Sequence, residues 1–240
     1  MRGYIQSILI IFLFLLSLGL GLTACHSNEV SQLSEVEGAG VTYSEMFKSY
    51  DRIDEYKEVK HYEPIQLGDV PVELSQRLTE PLVNIMLHED LPFSERVLYF
   101  NRIKNYEGDY VDQFQLSCWD LEDDQFFTVT ITESTLNPFD HGAGEIARVD
   151  LFGNKVRKHY LFSGDPIIHH IQQEESAQVF RYYQYDEEDE NVRTVATRAH
   201  ELYTYYDGYI YHFGYSVKAE DEDYHKTILR LARSSIVGRI

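Results

Sequence analysis

Glu201 to Tyr215 reads ELYTYYDGYIYHFGY, and this stretch decides the fold class. Two arms rich in aromatic residues flank Asp207-Gly208, the two-residue signature of a type I′ hairpin turn. The turn sets a register that places Tyr206 opposite Tyr209, Thr204 opposite Tyr211 and Leu202 opposite Phe213. Strand side chains alternate between faces. Tyr203, Tyr205, Ile210 and His212 therefore share the other face. Aromatic cross-strand pairs contribute roughly 0.2–1 kcal/mol each.

Working outward from this hairpin, period-2 patterns recur upstream. Gln125 to Glu133 (QFFTVTITE) alternates Phe127, Val129 and Ile131 with Thr128, Thr130 and Thr132. Strands are also expected over Arg96 to Ile103, Gln113 to Trp119, Pro166 to Ile171, Ala177 to Tyr185 and Asn191 to Arg198. Glu145 to Phe152 and Lys155 to Phe162 read as two arms around Gly153-Asn154. Downstream, Tyr224, Ile228, Leu231 and Ser235 make one face of a helix from about Asp221 to Ser235, with Lys226, Arg230 and Arg233 on the other. Acids at its start suit the helix dipole. A second helix is expected to begin around Ser44 and run toward Lys60. Pro64, Pro71, Pro81 and Pro92 argue against a long helix between these regions, leaving Leu82 to His88 as a strand or a short helix. The expected class is α+β: an antiparallel sheet of about eight strands with a helix near each end, the C-terminal one packed on the sheet.

The N-terminus has a different texture. Arg2 is the one charged residue among the first 24, and an apolar run extends from Ile8 to Leu22. At about 1.5 Å per residue this run is about 22 Å of helix, short of a hydrocarbon core about 30 Å thick. A basic start, an apolar core and small residues make a secretory signal. The run ends in Leu22-Thr23-Ala24-Cys25, which resembles the lipobox of bacterial lipoproteins. The resemblance implies cleavage before Cys25 and a lipid on its thiol. Residues 1–24 are thus expected to be a signal peptide, 25–42 a flexible polar tether, and 43–240 a single extracytoplasmic domain. Lipid is expected to hold the protein to the outer side of the cell membrane, since two or more acyl chains give stable attachment.

The net charge of −19 excludes nucleic acid as a partner, because that binding needs Lys and Arg against phosphate. It also opposes electrostatic attraction to anionic lipid. With Cys25 acylated, Cys118 has no disulfide partner, and its place in Phe114 to Trp119 reads as a small buried apolar residue.

No residue set identifies a reaction. His169 and His170 are adjacent in a strand, so they face opposite ways and cannot share a metal. No His-x-x-x-His pair with a helical Glu and no cysteine cluster supports zinc. Asp140-His141-Gly142 sits in a turn-rich loop without a nucleophile elbow to complete a triad. Asp186 to Glu190 lacks the glycine and final Glu of a calcium-binding EF-hand loop, so a solvated hairpin turn competes with weak cation binding. The expectation is no catalytic residue, no metal and no cofactor. Tyrosine is the unusual feature: eleven of the 19 lie between Tyr160 and Tyr224. Tyr203, Tyr205, Tyr211 and His212 are the candidate ligand-binding residues, through stacking and apolar contact.

The segment Tyr205 to Tyr211, followed by Ile228-Leu229, Ala232 and Ser234-Ser235, resembles uncharacterised lipoproteins and anti-sigma-associated domains of Gram-positive bacteria. That resemblance covers at most residues 90–236 and implies no catalytic residue. The order of strands and helices is also similar to the half-barrel of lipoprotein carriers and sigma-regulator sensors. The expected role is a non-enzymatic envelope domain that binds a protein or glycan partner or senses the envelope's state. The alternative is a carrier or binder of an apolar or glycan ligand on the tyrosine-rich sheet.

Overall fold

The computed structural model describes residues 30–39, 58–66, 69–71, 74, 76–86, 95–104, 108–120, 125–140, 148–216 and 222–237. The signal peptide, Cys25, the loop from His141 and nearly all of the helix expected from Ser44 lie outside them. In chain order the elements are a 3-10 turn (Val30–Gln32), β1 (Glu35–Gly38), β2 (Val59–Tyr62), α1 (Gln76–Met86), β3 (Glu95–Lys104), β4 (Tyr110–Asp120), β5 (Gln125–Glu133), β6 (Lys155–Tyr160), β7 (Pro166–Ile171), β8 (Phe180–Asp186), β9 (Asn191–Thr197), β10 (His200–Tyr206), β11 (Tyr209–Ser216) and α2 (Glu222–Val237).

The expected class holds in outline: the fold is mostly sheet, with one of its two described helices at the C-terminus. The count and direction of strands do not. Eleven strands form one sheet in the order β6-β7-β10-β11-β5-β4-β3-β2-β1-β9-β8. The sheet is mixed, because β1 pairs antiparallel with β2 but parallel with β9, through Glu37 opposite Asn191 and Gly38 opposite Val192. Two of the uncounted strands come from segments read otherwise. Residues 30–38 fell within the expected tether, yet they form the 3-10 turn and β1. Lys60 closed the expected helix, yet Val59–Tyr62 is β2.

The β10–β11 hairpin has the expected register throughout, from Tyr206 opposite Tyr209 to His200 opposite Tyr215. Asp207 at φ 51° and Gly208 at φ 90° supply the left-handed pair that the turn requires. The Gly153 turn also forms, but among the described residues its first arm is only a bridge from Val149 to Lys155. There the Asp150 carboxylate accepts the N–H groups of Phe152 and Asn154, closing a turn where a strand was expected.

Alternation divides the sheet into an apolar and a polar face. On the apolar face Leu98, Phe100, Phe114, Leu116, Phe127, Val129, Ile131, Leu202 and Phe213 form one core with both helices. α2 contributes Ile228, Leu229, Leu231, Ala232 and Ile236, which recur at helical spacing and are buried. Full burial of each of these Ile and Leu side chains stabilises the fold by roughly 1.5–3 kcal/mol. α1 adds Leu82 and Ile85, both 0 % exposed. Pro81 lies inside α1 and removes one helical hydrogen bond, which this contact with the core offsets.

The other face carries Gln113, Gln115, Ser117, Thr128, Thr130, Thr132 and His212, and it is also buried. β8 covers it by stepping across the strands. Tyr185 meets Tyr99 of β3, Tyr183 meets Gln115 of β4, and the Phe180 ring lies against Phe126 of β5 and His212 of β11. Gly214 makes room for this crossing, since a β-carbon there would collide with the Phe180 ring. Phe180 is 1 % exposed and has nowhere to withdraw. Gly214→Ala is therefore expected to lower the unfolding free energy in urea by about 1–3 kcal/mol. Adding Phe180→Leu should recover part of that loss. An unchanged midpoint in the single variant would contradict the close crossing.

Candidate functional site

The four tyrosine-sheet candidates do not share one surface. Tyr211 lies on the apolar face, 2 % exposed beneath the helices. Tyr203, Tyr205 and His212 lie on the polar face, and Tyr203 and His212 are both 3 % exposed. The Tyr203 ring stacks on Phe139 at 6.3 Å with an interplanar angle of 5°. The Tyr205 hydroxyl donates to the Ser134 carbonyl at 3.4 Å. These rings are packed within the fold and make no exposed aromatic row.

The structure does assemble a chain of buried polar side chains from residues that sequence reading kept apart. It starts at the Tyr203 hydroxyl, 3.0 Å from His170 Nε2. His170 Nδ1 is 2.6 Å from Asp150 Oδ2, which also accepts from Asn154 Nδ2 at 2.9 Å. Asn154 Nδ2 reaches Gln178 Oε1 as well, and Gln178 Nε2 donates to Glu201 Oε1 at 2.5 Å. Glu201 Oε2 completes the chain on His212 Nε2 at 2.7 Å. A donor at His170 Nδ1 suits the carboxylate and leaves Nε2 to accept from Tyr203. Burial raises the Asp150 carboxyl, but the Asn154 side chain, the Asn154 N–H and His170 together outweigh it and hold it below its ordinary value. Thr130 Oγ1 and His212 Nδ1, opposite one another in register, have no hydrogen-bond partner among the described residues. Asn154 Oδ1, within the chain itself, likewise has none.

A second cluster lies on the apolar face, under the start of α2. The Tyr215 hydroxyl sits 2.8 Å from His169 Nε2 and 2.5 Å from His225 Nδ1. The His200 ring is 4.7 Å from that of His225, and its Nδ1 accepts the Gln172 N–H at 3.0 Å. The His159 ring lies 5.8 Å from that of His169, tilted by 43°. Burial, reinforced by the neighbouring histidines, pushes His169 down to about 2. Burial and His225 push His200 down to about 4. Both rings are held neutral where a free imidazole would take a proton.

His169 and His170 thus enter different clusters on opposite faces, as their adjacency required. Among the described residues no group of three or more His, Cys, Asp or Glu side chains could hold a metal ion. The Asp186 to Glu190 run forms the β8–β9 turn, where Asp186 Oδ1 accepts the Glu188 N–H at 3.0 Å and Asp186 pairs with Arg193 at 2.7 Å. Cys118 is 1 % exposed, and burial pushes its thiol up to about 12, so it is an unreactive core residue. Asp140 accepts from Asn137 Nδ2 at 3.0 Å within its turn. No helix among the described residues is long and apolar enough to cross a membrane. No protein-family model, curated protein or solved structure matches this chain.

What the histidine cluster does chemically is link folding to pH. Below about pH 6.5 the unfolded chain protonates His169 and His200, while the folded chain refuses those protons. Stability is therefore complete above that pH and falls on acidification, by about 1.4 kcal/mol per pH unit for each group. For His200 the loss ends near pH 4, and for His169 it continues lower. Urea unfolding at pH 7 and pH 5 should show this loss. His200→Gln, which keeps an acceptor for the Gln172 N–H, should reduce the slope. Equal stability at the two pH values would contradict the assignment.

Proposed function

We propose that this chain is a lipid-anchored extracytoplasmic domain with a binding or sensing role at the cell envelope. The observation that carries this reading is Leu22-Thr23-Ala24-Cys25 directly behind an apolar run too short to span a bilayer. The lipid on Cys25 provides the membrane contact, and a protein or envelope glycan is the expected class of partner. The net charge of −19 supports this division of labour, because it opposes direct adsorption to anionic lipid.

A binding role is favoured over catalysis by where the acid–histidine pairs lie. Glu201, His212 and His170 are 2 %, 3 % and 2 % exposed, so none can touch a substrate while the fold is closed. The alternative, an apolar or glycan ligand carried on the tyrosine-rich sheet, has less support, because Tyr211 and Tyr203 lie on opposite buried faces.

The test is the mass of the mature N-terminus with labelled palmitate in the growth medium. The wild-type N-terminal peptide is expected to begin at Cys25, carry a diacylglyceryl group and contain label. Cys25→Ala should carry neither. A wild-type protein that retains Met1, or a Cys25→Ala variant that still incorporates label, would refute the anchor.

A further inference from the structure

The fold begins much closer to Cys25 than a tether over residues 25–42 would allow. Val30 is 5 % exposed and belongs to the main core with Tyr62 and Phe100. Leu33 packs against the same core, and β1 follows at once, paired on one side with β2 and on the other with β9. Residues 26–29 are all that separate Val30 from Cys25. The five steps from Cys25 to Val30 reach at most about 18 Å even when fully extended. A domain of this size has a radius of gyration of about 17 Å and is about 40 Å across. A tether shorter than the domain is wide does not let it turn over. With its far side on the bilayer, Val30 would stand about 40 Å above the surface, beyond the reach of the chain.

The surface around Val30 has the chemistry of a headgroup contact. Val30, Leu33, Lys60, Arg102 and Tyr110 line a cleft of about 410 Å³ on the helix-facing side of the sheet. Its basic side chains are paired, Lys60 with Glu35 at 2.9 Å and Arg102 with Asp112 at 2.9 Å, and neighbouring Lys104 pairs with Glu58 at 2.8 Å. These charges cancel in pairs, in a chain whose net charge of −19 otherwise opposes approach to a phospholipid surface. Groups of both signs also complement the phosphate and ammonium of zwitterionic headgroups. Tyr110 is 38 % exposed and donates its hydroxyl to Glu58. A ring with one apolar and one wet end is favoured at a membrane–water boundary.

We propose that the domain rests directly on the bilayer, with the cleft between the 3-10 turn and Tyr110 turned toward the phospholipid headgroups. The proposal rests on the lipid anchor above and adds which side of the domain faces the membrane. A competing orientation would be set by Leu151, the most exposed large apolar side chain among the described residues, with Phe152 beside it. That turn lies against the β7–β8 loop, where the Ala177 N–H donates to the Phe152 carbonyl at 3.2 Å. β7 is four places from β4 in the sheet, and its last residue lies at the strand end opposite Tyr110. The two orientations therefore bring different residues to the bilayer.

Quenching of a bimane label by a lipid with a nitroxide on its headgroup distinguishes them. The lipidated full chain is placed in phosphatidylcholine vesicles that contain the nitroxide lipid. The label is carried by Asp109→Cys, beside Tyr110, or by Glu175→Cys, in the β7–β8 loop. Both positions are exposed, and Cys118 is too buried to be labelled. Position 109 should be quenched several-fold more strongly than position 175. A flexible Gly-Ser linker of about 20 residues inserted after Ser27 should lower quenching at position 109 toward that at position 175. Unchanged near-UV circular dichroism would show that the variants remain folded. Equal quenching at the two positions, stronger quenching at position 175, or quenching at position 109 that the linker leaves unchanged overturns the proposal. A chain without lipid on Cys25 would remove the anchor and this orientation together. A lipidated chain quenched equally at both positions would remove the orientation alone.

Discussion

One side-chain amide holds the edge strand β8 against the middle of the same sheet. Gln115, 0 % exposed in the middle of β4, accepts the Tyr183 N–H at 2.7 Å and donates to the Tyr183 carbonyl at 2.9 Å. Its second amide hydrogen goes to Ser117 Oγ at 2.8 Å. A strand at the end of a sheet presents unpaired backbone groups, and β8 is such a strand. Here those groups meet the face of the same sheet, where Gln115 stands in for a peptide group of a neighbouring strand. The Tyr99 hydroxyl does the same for the Tyr185 N–H at 3.2 Å.

That constraint explains why a fully buried sheet face is polar. An apolar face would pack well against side chains but would leave the backbone edge of β8 unsatisfied, at roughly 1–3 kcal/mol for each lost partner. Gln113, Gln115, Ser117 and the threonines of β5 form a lattice that accepts this edge. The Tyr183 hydroxyl extends it by donating to Gln113 Oε1 at 2.7 Å, and Gln113 Nε2 donates to Thr132 at 2.8 Å. The Glu201–Gln178–Asp150 chain lies on the same face, separated from this lattice by Thr130 Oγ1 and His212 Nδ1, which have no hydrogen-bond partner among the described residues. The helix-facing side meets no strand edge, because α1 and α2 satisfy their own backbones, and it is apolar apart from the Tyr215–His169–His225 cluster under the start of α2.

The hairpin at Asp207-Gly208, the threonine alternation of β5 and the face of α2 were legible because their determinants are local: a turn signature, a period of two, a helical period. β1 was not. Glu35–Gly38 reads EVEG, with no apolar alternation, and it exists as a strand through partners far along the chain, β2 and β9. Glu145 to Phe152 had strand-like composition, but the Asp150 carboxylate captures the local N–H groups and turns the chain. The separation of Tyr211 from Tyr203 and His212 was visible in the alternation itself. What the sequence could not reveal is that both faces are covered, because β8 reaches the polar one by crossing β3, β4, β5 and β11. The buried chain from Tyr203 to His212 likewise depends on neighbours distant in sequence, so it leaves no spaced motif.

The most direct measurement is amide hydrogen exchange at Tyr183, resolved by NMR, in the wild type and in Gln115→Met. If the Gln115 amide clamps the edge of β8, the wild-type Tyr183 amide should exchange as slowly as that of Phe127 in the central strand β5. In the variant it should exchange many times faster while Phe127 stays protected. A wild-type Tyr183 amide exchanging as fast as those of the Asp186 to Glu190 turn would contradict the clamp, and with it the reason given for the polar face.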